Sequence, residues 1–143
     1  MPRVSLVAPL ALVVSGSLLY HVAAKSVPKA LDPVAALIGV YATALAASLV
    51  ACALARRGSL PAQLSSVWHP TIAAVGLGAL MIELGFLMTY RAAWPVSIAS
   101  VMTNGLVAVL LMPIGAAVFG EPITAIKVAG VALCLLGVAL LQR

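Results

Sequence analysis

The sequence predicts an all-α membrane protein, a bundle of five transmembrane helices, and three observations carry that prediction. Of the 143 residues, 64% are apolar and only 8% are charged, whereas a soluble domain runs near half apolar and a quarter charged. The apolar residues come in continuous runs of about 20, the length a helix needs to cross the hydrocarbon core. These runs are rich in Ala, Leu, Val and Gly and lack the apolar/polar alternation of a membrane β-barrel strand. Lipid offers no partner for free backbone N–H and C=O groups, so the spans are helical. The composition excludes a soluble globular domain. It also excludes a disordered tail, which needs low hydrophobicity and high charge.

The first span is residues 4–24, ended by Lys25, Pro28, Lys29 and Asp32. It is long for a signal-peptide apolar region, and no small-residue cleavage pattern precedes a soluble domain. The second is residues 33–55, with Asp32 as N-cap and Pro33 at the first helical position; Arg56, Arg57, Gly58 and Pro61 close it. A polar stretch through Ser65 and Ser66 leads to Trp68 and His69, where interface anchors sit. The third span, residues 70–90, has one charge in its interior, Glu83, and Arg91 and Trp94 at its edge. The fourth, residues 95–119, carries Asn104 near its middle and Pro113 later, which predicts a kink or local unwinding. Gly120, Glu121 and Pro122 form a turn, and the fifth span is residues 123–141, with Lys127 near its start and Arg143 as anchor. Short loops join every pair, which predicts a single transmembrane domain over residues 1–143.

An odd number of spans puts the termini on opposite sides. Arg3, Arg56, Arg57 and Lys127 then fall on the N-terminal side and Lys25, Lys29, Arg91 and Arg143 on the other, four against four. The positive-inside rule gives no orientation from such a balance. Either Arg56 and Arg57, the only adjacent basic pair, fix one orientation, or the chain inserts both ways (dual topology) and pairs antiparallel with itself. The net charge of +5 reads as membrane-edge anchors and predicts no nucleic-acid partner; the lipid bilayer is the partner. Cys52 and Cys134 both lie in apolar runs, which predicts buried structural thiols. The sequence holds no metal-ligand cluster, no nucleophile–base pair in a polar context and no Gly-rich phosphate loop. Neither an enzyme nor a cofactor is expected.

Glu83 is the leading candidate residue. A carboxylate at the bilayer centre costs on the order of a few kcal/mol, so it normally faces a bundle interior or a water cavity. Desolvation disfavours its charged form, which makes it a candidate proton carrier. Helical spacing puts Gly76, Leu80, Leu87 and Tyr90 on its stripe, with Phe86 one turn away. Aromatic faces beside a carboxylate suit an organic cation; the alternative is a carboxyl that serves structure alone. In the fourth span Ser97, Ser100 and Asn104 share a face with Thr103 beside it, and Asn104 is a candidate for substrate contact or a helix–helix hydrogen bond. In the first span Ser17, Tyr20 and His21 approach Lys25 at helical spacing. His21 titrates near physiological pH when unperturbed, and Lys25 either lines the path or snorkels to the surface.

The turn and last span, FGEPITAIKVAGVALCLLGVALL, resemble the end of an EamA-type repeat of the drug/metabolite transporter superfamily, with a Gly-Glu turn and a Gly-spaced final helix through Gly130 and Gly137. The opening SGSLLYHVAAKSVPKALDP and the third-span junction LGFLMTYRAAWPVSIAS are similar too. The resemblance covers essentially the whole chain. Full-length members carry two such repeats as inverted halves around a midplane site, so it implies a half-size transporter that completes itself as a homodimer, antiparallel where the Lys/Arg balance permits dual insertion. A parallel dimer or a heterodimer with a sibling half are the alternatives.

Departures from the family matter. Its four-span small multidrug exporters place an essential Glu in the first span, several residues before a Lys. Matching that Lys to Lys25 leaves Ser17 near that place, and the first span has no carboxylate. Coupling, if present, falls to Glu83. The implied function is a transporter of a small organic metabolite or cation, of unknown identity, in a bacterial-type inner membrane. Alternatives are a lipid-carrier flippase subunit and a non-transporting membrane scaffold.

Overall fold

A computed structural model describes residues 7–55 and 67–141 of the protein. Among them are five α-helices and no strand: α1 (Val7–Ser26), α2 (Pro33–Leu54), α3 (Pro70–Arg91), α4 (Val96–Phe119) and α5 (Ala125–Leu141). Residues 4–6 of the first expected span, and Arg3, Arg56, Arg57, Gly58, Pro61, Ser65, Ser66 and Arg143, lie outside the described residues. Helices α1 to α4 are each long and apolar enough to cross a membrane, which makes the chain a multi-pass membrane protein. Helix α5 is apolar but has 17 residues, about 26 Å at 1.5 Å per residue, slightly short of a ~30 Å hydrocarbon core.

Local chemistry sets the helix ends. Asp32, in extended backbone, accepts a 2.9 Å hydrogen bond from the Ala35 N–H, with Pro33 in the first helical turn. Before α3, His69 Nδ1 accepts from the Thr71 N–H at 3.3 Å. Pro95 is extended and caps α4 without a side-chain hydrogen bond, so that helix begins at Val96 and not at Pro95. At α5 the Thr124 hydroxyl accepts from the Lys127 N–H at 3.3 Å, which places the start at Ala125, two residues later than residue 123. The unwinding expected at Pro113 does not occur, because α4 runs through it unbroken. Proline's fixed φ suits a helix, and the missing N–H deprives only the Val109 carbonyl of its donor.

Contacts divide the described residues into two units, one built on α2 and α3 and the other on α1, α4 and α5. In the first, α2 and α3 are antiparallel neighbours. The Arg91 guanidinium donates to the Leu31 carbonyl, which fixes the end of α3 beside the start of α2. Leu37 lies four residues in from Pro33 and Leu87 four in from Arg91, and both are buried, as is Tyr90. In the second unit α4 and α5 are joined by the turn at residues 120–124 and pack together. Gly105 is buried where α5 approaches: a Cβ there would stand 3.5 Å from Val138 Cγ2. Lys25, at the end of α1, donates from Nζ to the Trp94 carbonyl at 2.7 Å.

Neither unit has a water-excluding core of the soluble kind. Large apolar side chains such as Leu12 (74% exposed) and Ile126 (85%) point outward, and lipid is the solvent that tolerates them.

Candidate functional site

The α2–α3 seam holds the candidate site. Glu83 is half-buried on α3, eight residues in from Arg91, about 12 Å below that helix end at 1.5 Å per residue. Tyr41 lies eight residues in from Pro33 on the antiparallel α2, so the two stand at one depth. They are close enough to interact electrostatically. The Tyr41 hydroxyl is near enough to the Glu83 carboxyl to act as its side-chain hydrogen-bond partner, although Tyr41 Oη and Glu83 Oε2, both enclosed, fall short of ideal hydrogen-bond geometry. Other hydroxyls of these helices are turned onto their own backbones: Thr43 onto the Gly39 carbonyl at 2.9 Å, Ser48 onto Ala44 at 2.8 Å and Thr89 onto Gly85 at 2.8 Å. A hydroxyl bonded to the carbonyl four residues earlier is satisfied within its helix. Tyr41 is too long for that bond and reaches across the seam instead.

Aromatic rings continue the seam toward the Arg91 end. Phe86 and Tyr90 stack with centroids 5.8 Å apart and planes at 26°. Leu87 and Tyr90 are buried on the Glu83 stripe, as spacing predicts, whereas Leu80 and Gly76 on the same stripe are exposed. The stripe is therefore buried only from Glu83 toward Arg91.

The remaining sequence candidates belong to the other unit. Asn104 is exposed and lines an open groove of about 580 Å³ between α4 and α5 with Gly105, Cys134 and Gly137. Its neighbours Ser100 and Thr103 are satisfied on the Val96 and Ala99 carbonyls. Tyr20 and His21 are half-buried and meet edge to face at 5.1 Å, and Lys25 is held by the Trp94 carbonyl. The expected buried thiols need correction. Cys134 is exposed in the α4–α5 groove and Cys52 is half-buried, because so open a packing of helices leaves few positions covered on all sides.

Tyr41 is the site residue that sequence reasoning missed. The available signal was depth: an ionisable hydroxyl as far from one end of its span as Glu83 is from the adjoining end of the antiparallel span. No group of three or more His, Cys, Asp or Glu that could hold a metal ion occurs among the described residues. No family model, curated protein or solved structure matches the chain.

Proposed function

We propose that the protein is a half-size membrane transporter of the drug/metabolite transporter kind, which moves a small organic solute by alternating access as an antiparallel homodimer, with Glu83 as proton carrier. The carrying observation is the enclosed Tyr41–Glu83 pair at one depth within a span pair. A carboxylate held inside a membrane without a compensating cation is expensive and marks an ion or substrate pathway. The EamA-like junctions and the four-against-four Lys/Arg balance favour self-pairing in opposite orientations, which rebuilds inverted repeats. The membrane of this reading is a bacterial-type inner membrane. Purified protein in liposomes is expected to give saturable, pH-dependent flux that Glu83→Gln reduces to the level of empty liposomes; unchanged flux removes Glu83 from the mechanism. Reporters fused to the C-terminus are expected to signal from both sides, and a one-sided signal sinks antiparallel self-pairing.

A second reading has its own observation. The α4–α5 groove is lateral, open and almost wholly apolar apart from Asn104, which suits an acyl or polyprenyl chain and favours a lipid-carrier flippase subunit. In that case lipid-linked substrate flips at a rate that bulky substitution at Gly105 or Gly137 lowers, and Glu83→Gln leaves flipping intact.

A further inference from the structure

We infer that the α4–α5 groove holds an acyl chain of a zwitterionic membrane phospholipid, whose ammonium meets Glu121 and whose phosphate meets Lys127 at the groove mouth. The inference rests on the reading of this groove as a slot for a lipid chain; it names the lipid and requires no flipping.

Two open hollows of about 580 and 410 Å³ share Ala108, Val131 and Cys134, so they form one continuous groove. The larger reaches Gly137 and Val138, and the smaller ends at Glu121, Pro122 and Lys127. Lys127 and Val138 are eleven residues apart on α5, about 17 Å at 1.5 Å per residue. One leaflet fills about half of a ~30 Å hydrocarbon core, so the groove is about as long as one leaflet is deep. Its charged lining residues, Glu121 and Lys127, stand together at the turn, and Asn104 stands at the deep end. Between them the walls include Ala108, Leu111, Met112 and Val131, which give a chain apolar contact and ask for no hydrogen bond.

Two charges of opposite sign at the mouth select the head group. The Glu121 side chain lies against α4, since a Cβ on Gly115 would stand 3.2 Å from its Oε2. Lys127 Nζ reaches back to the turn and donates to the Pro122 carbonyl at 3.0 Å, as a lysine does when it snorkels to a membrane edge. An ammonium has three donors, so that bond leaves two for a phosphate. A carboxylate only accepts and suits a lipid ammonium. Phosphatidylethanolamine carries a phosphate and a primary ammonium one short linker apart, which matches both residues. Phosphatidylglycerol carries the phosphate alone and sets Glu121 beside a like charge. With the same acyl chains, the two lipids differ at Glu121 and not in the groove.

Native mass spectrometry of the purified full-length protein, released from detergent with equal amounts of the two lipids, tests the inference. Phosphatidylethanolamine is expected to be retained about threefold more than phosphatidylglycerol, the ratio an exposed ion pair gives. Glu121→Lys is expected to reverse the preference. A Cβ on Gly130, in the groove wall, meets nothing within 4 Å, so Gly130→Leu is expected to fill the groove without disturbing the fold and to lower retention of both lipids at least about threefold. Equal retention in the wild type, a preference for phosphatidylglycerol, or retention of neither lipid overturns the inference. So does unchanged retention in a Gly130→Leu protein whose thermal unfolding matches the wild type. Displacement by an equal concentration of chain-free glycerophosphoethanolamine also overturns it, because the chain then adds nothing. The wild-type comparison stands even if a variant does not fold. A flipping assay in liposomes separates this outcome from the flippase reading. Selective retention without flipping keeps the site and removes the flippase; flipping without head-group preference does the reverse.

Discussion

Each antiparallel helix pair carries one glutamate, and the two glutamates meet opposite fates. Glu83 is half-buried eight residues inside the α2–α3 pair, with Oε2 enclosed and Tyr41 beside it. Glu121 stands exposed at the α4–α5 turn, its backbone N–H bonded to the Gly115 carbonyl at 3.1 Å and its Oε2 3.2 Å from where a Gly115 Cβ would sit. The Glu121 backbone closes a helix end while its side chain stays exposed; the Glu83 side chain is held in a seam beside Tyr41. Depth decides between them. At the turn, water and backbone donors satisfy a carboxylate, whereas inside a span only another side chain, a proton or a ligand does so. The helix pairs differ correspondingly. The polar pair closes with an aromatic stack and buried Leu37 and Leu87, while the apolar pair leaves an open groove.

Exchanging each glutamate in turn gives the largest expected effect. Glu83→Gln is expected to bring pH-dependent liposome flux down to background, because glutamine keeps the shape but cannot carry a proton. Glu121→Gln is expected to leave flux near the wild-type rate, with stability changed by no more than about 0.5 kcal/mol as at other exposed polar sites. Equal losses of flux in both variants would erase the contrast between the pairs.

Packing gives the next effect. Leu87 is 5% exposed and Leu133, on α5, is 68% exposed. Leu87→Ala opens a cavity in the α2–α3 seam, whereas Leu133→Ala trades one lipid-facing surface for another. In lipid the transfer part of the penalty largely vanishes and the packing part remains, so about 1–2 kcal/mol is expected for Leu87→Ala and close to none for Leu133→Ala. Thermal unfolding in detergent reads both, and a similar loss from Leu133→Ala would mean that α5 is covered by a partner.

Much of the frame was legible in the sequence because lipid enforces simple rules. Continuous apolar runs gave the helices, and Asp32 with Pro33 marked a start that the structure keeps. Other ends moved by one or two residues where a cap outcompeted hydropathy, as Thr124 does at α5. Pro113 does not unwind its helix, because a proline interrupts one hydrogen bond without having to break a helix. For the site, Glu83 was legible as the one charge deep in a span. Tyr41 was not, since its importance comes from which helix packs against α3 and in what register. Glycine and alanine seams encode neither. The openness around Cys134 was hidden for the same reason, because an apolar residue looks alike in the sequence whether it meets protein or lipid.

The helix ends extend the comparison with the smallest effects. Gly120 ends α4 with φ +66°, and Ala93 follows α3 at the same φ. Left-handed backbone costs an L side chain about 1–2 kcal/mol and costs glycine almost nothing. Gly120→Ala is therefore expected to destabilise the α4–α5 turn by about 1 kcal/mol, read as a lower Tm in detergent.

Ala93→Gly is the mirror experiment, and its sign is set by two opposing terms. Removing the Cβ relieves the left-handed strain, worth about 1–2 kcal/mol. The same change frees the unfolded chain, which opposes folding by about 0.4–1 kcal/mol. The first term is larger, so Ala93→Gly is expected to stabilise by up to about 1 kcal/mol, and to do so without touching Lys25 Nζ, which binds the next residue's carbonyl, that of Trp94. A lower Tm in this variant would show that the methyl of Ala93 makes a contact worth more than the strain it causes. It would also break the equivalence of the two helix ends, leaving Gly120 as the one whose residue type follows from its backbone.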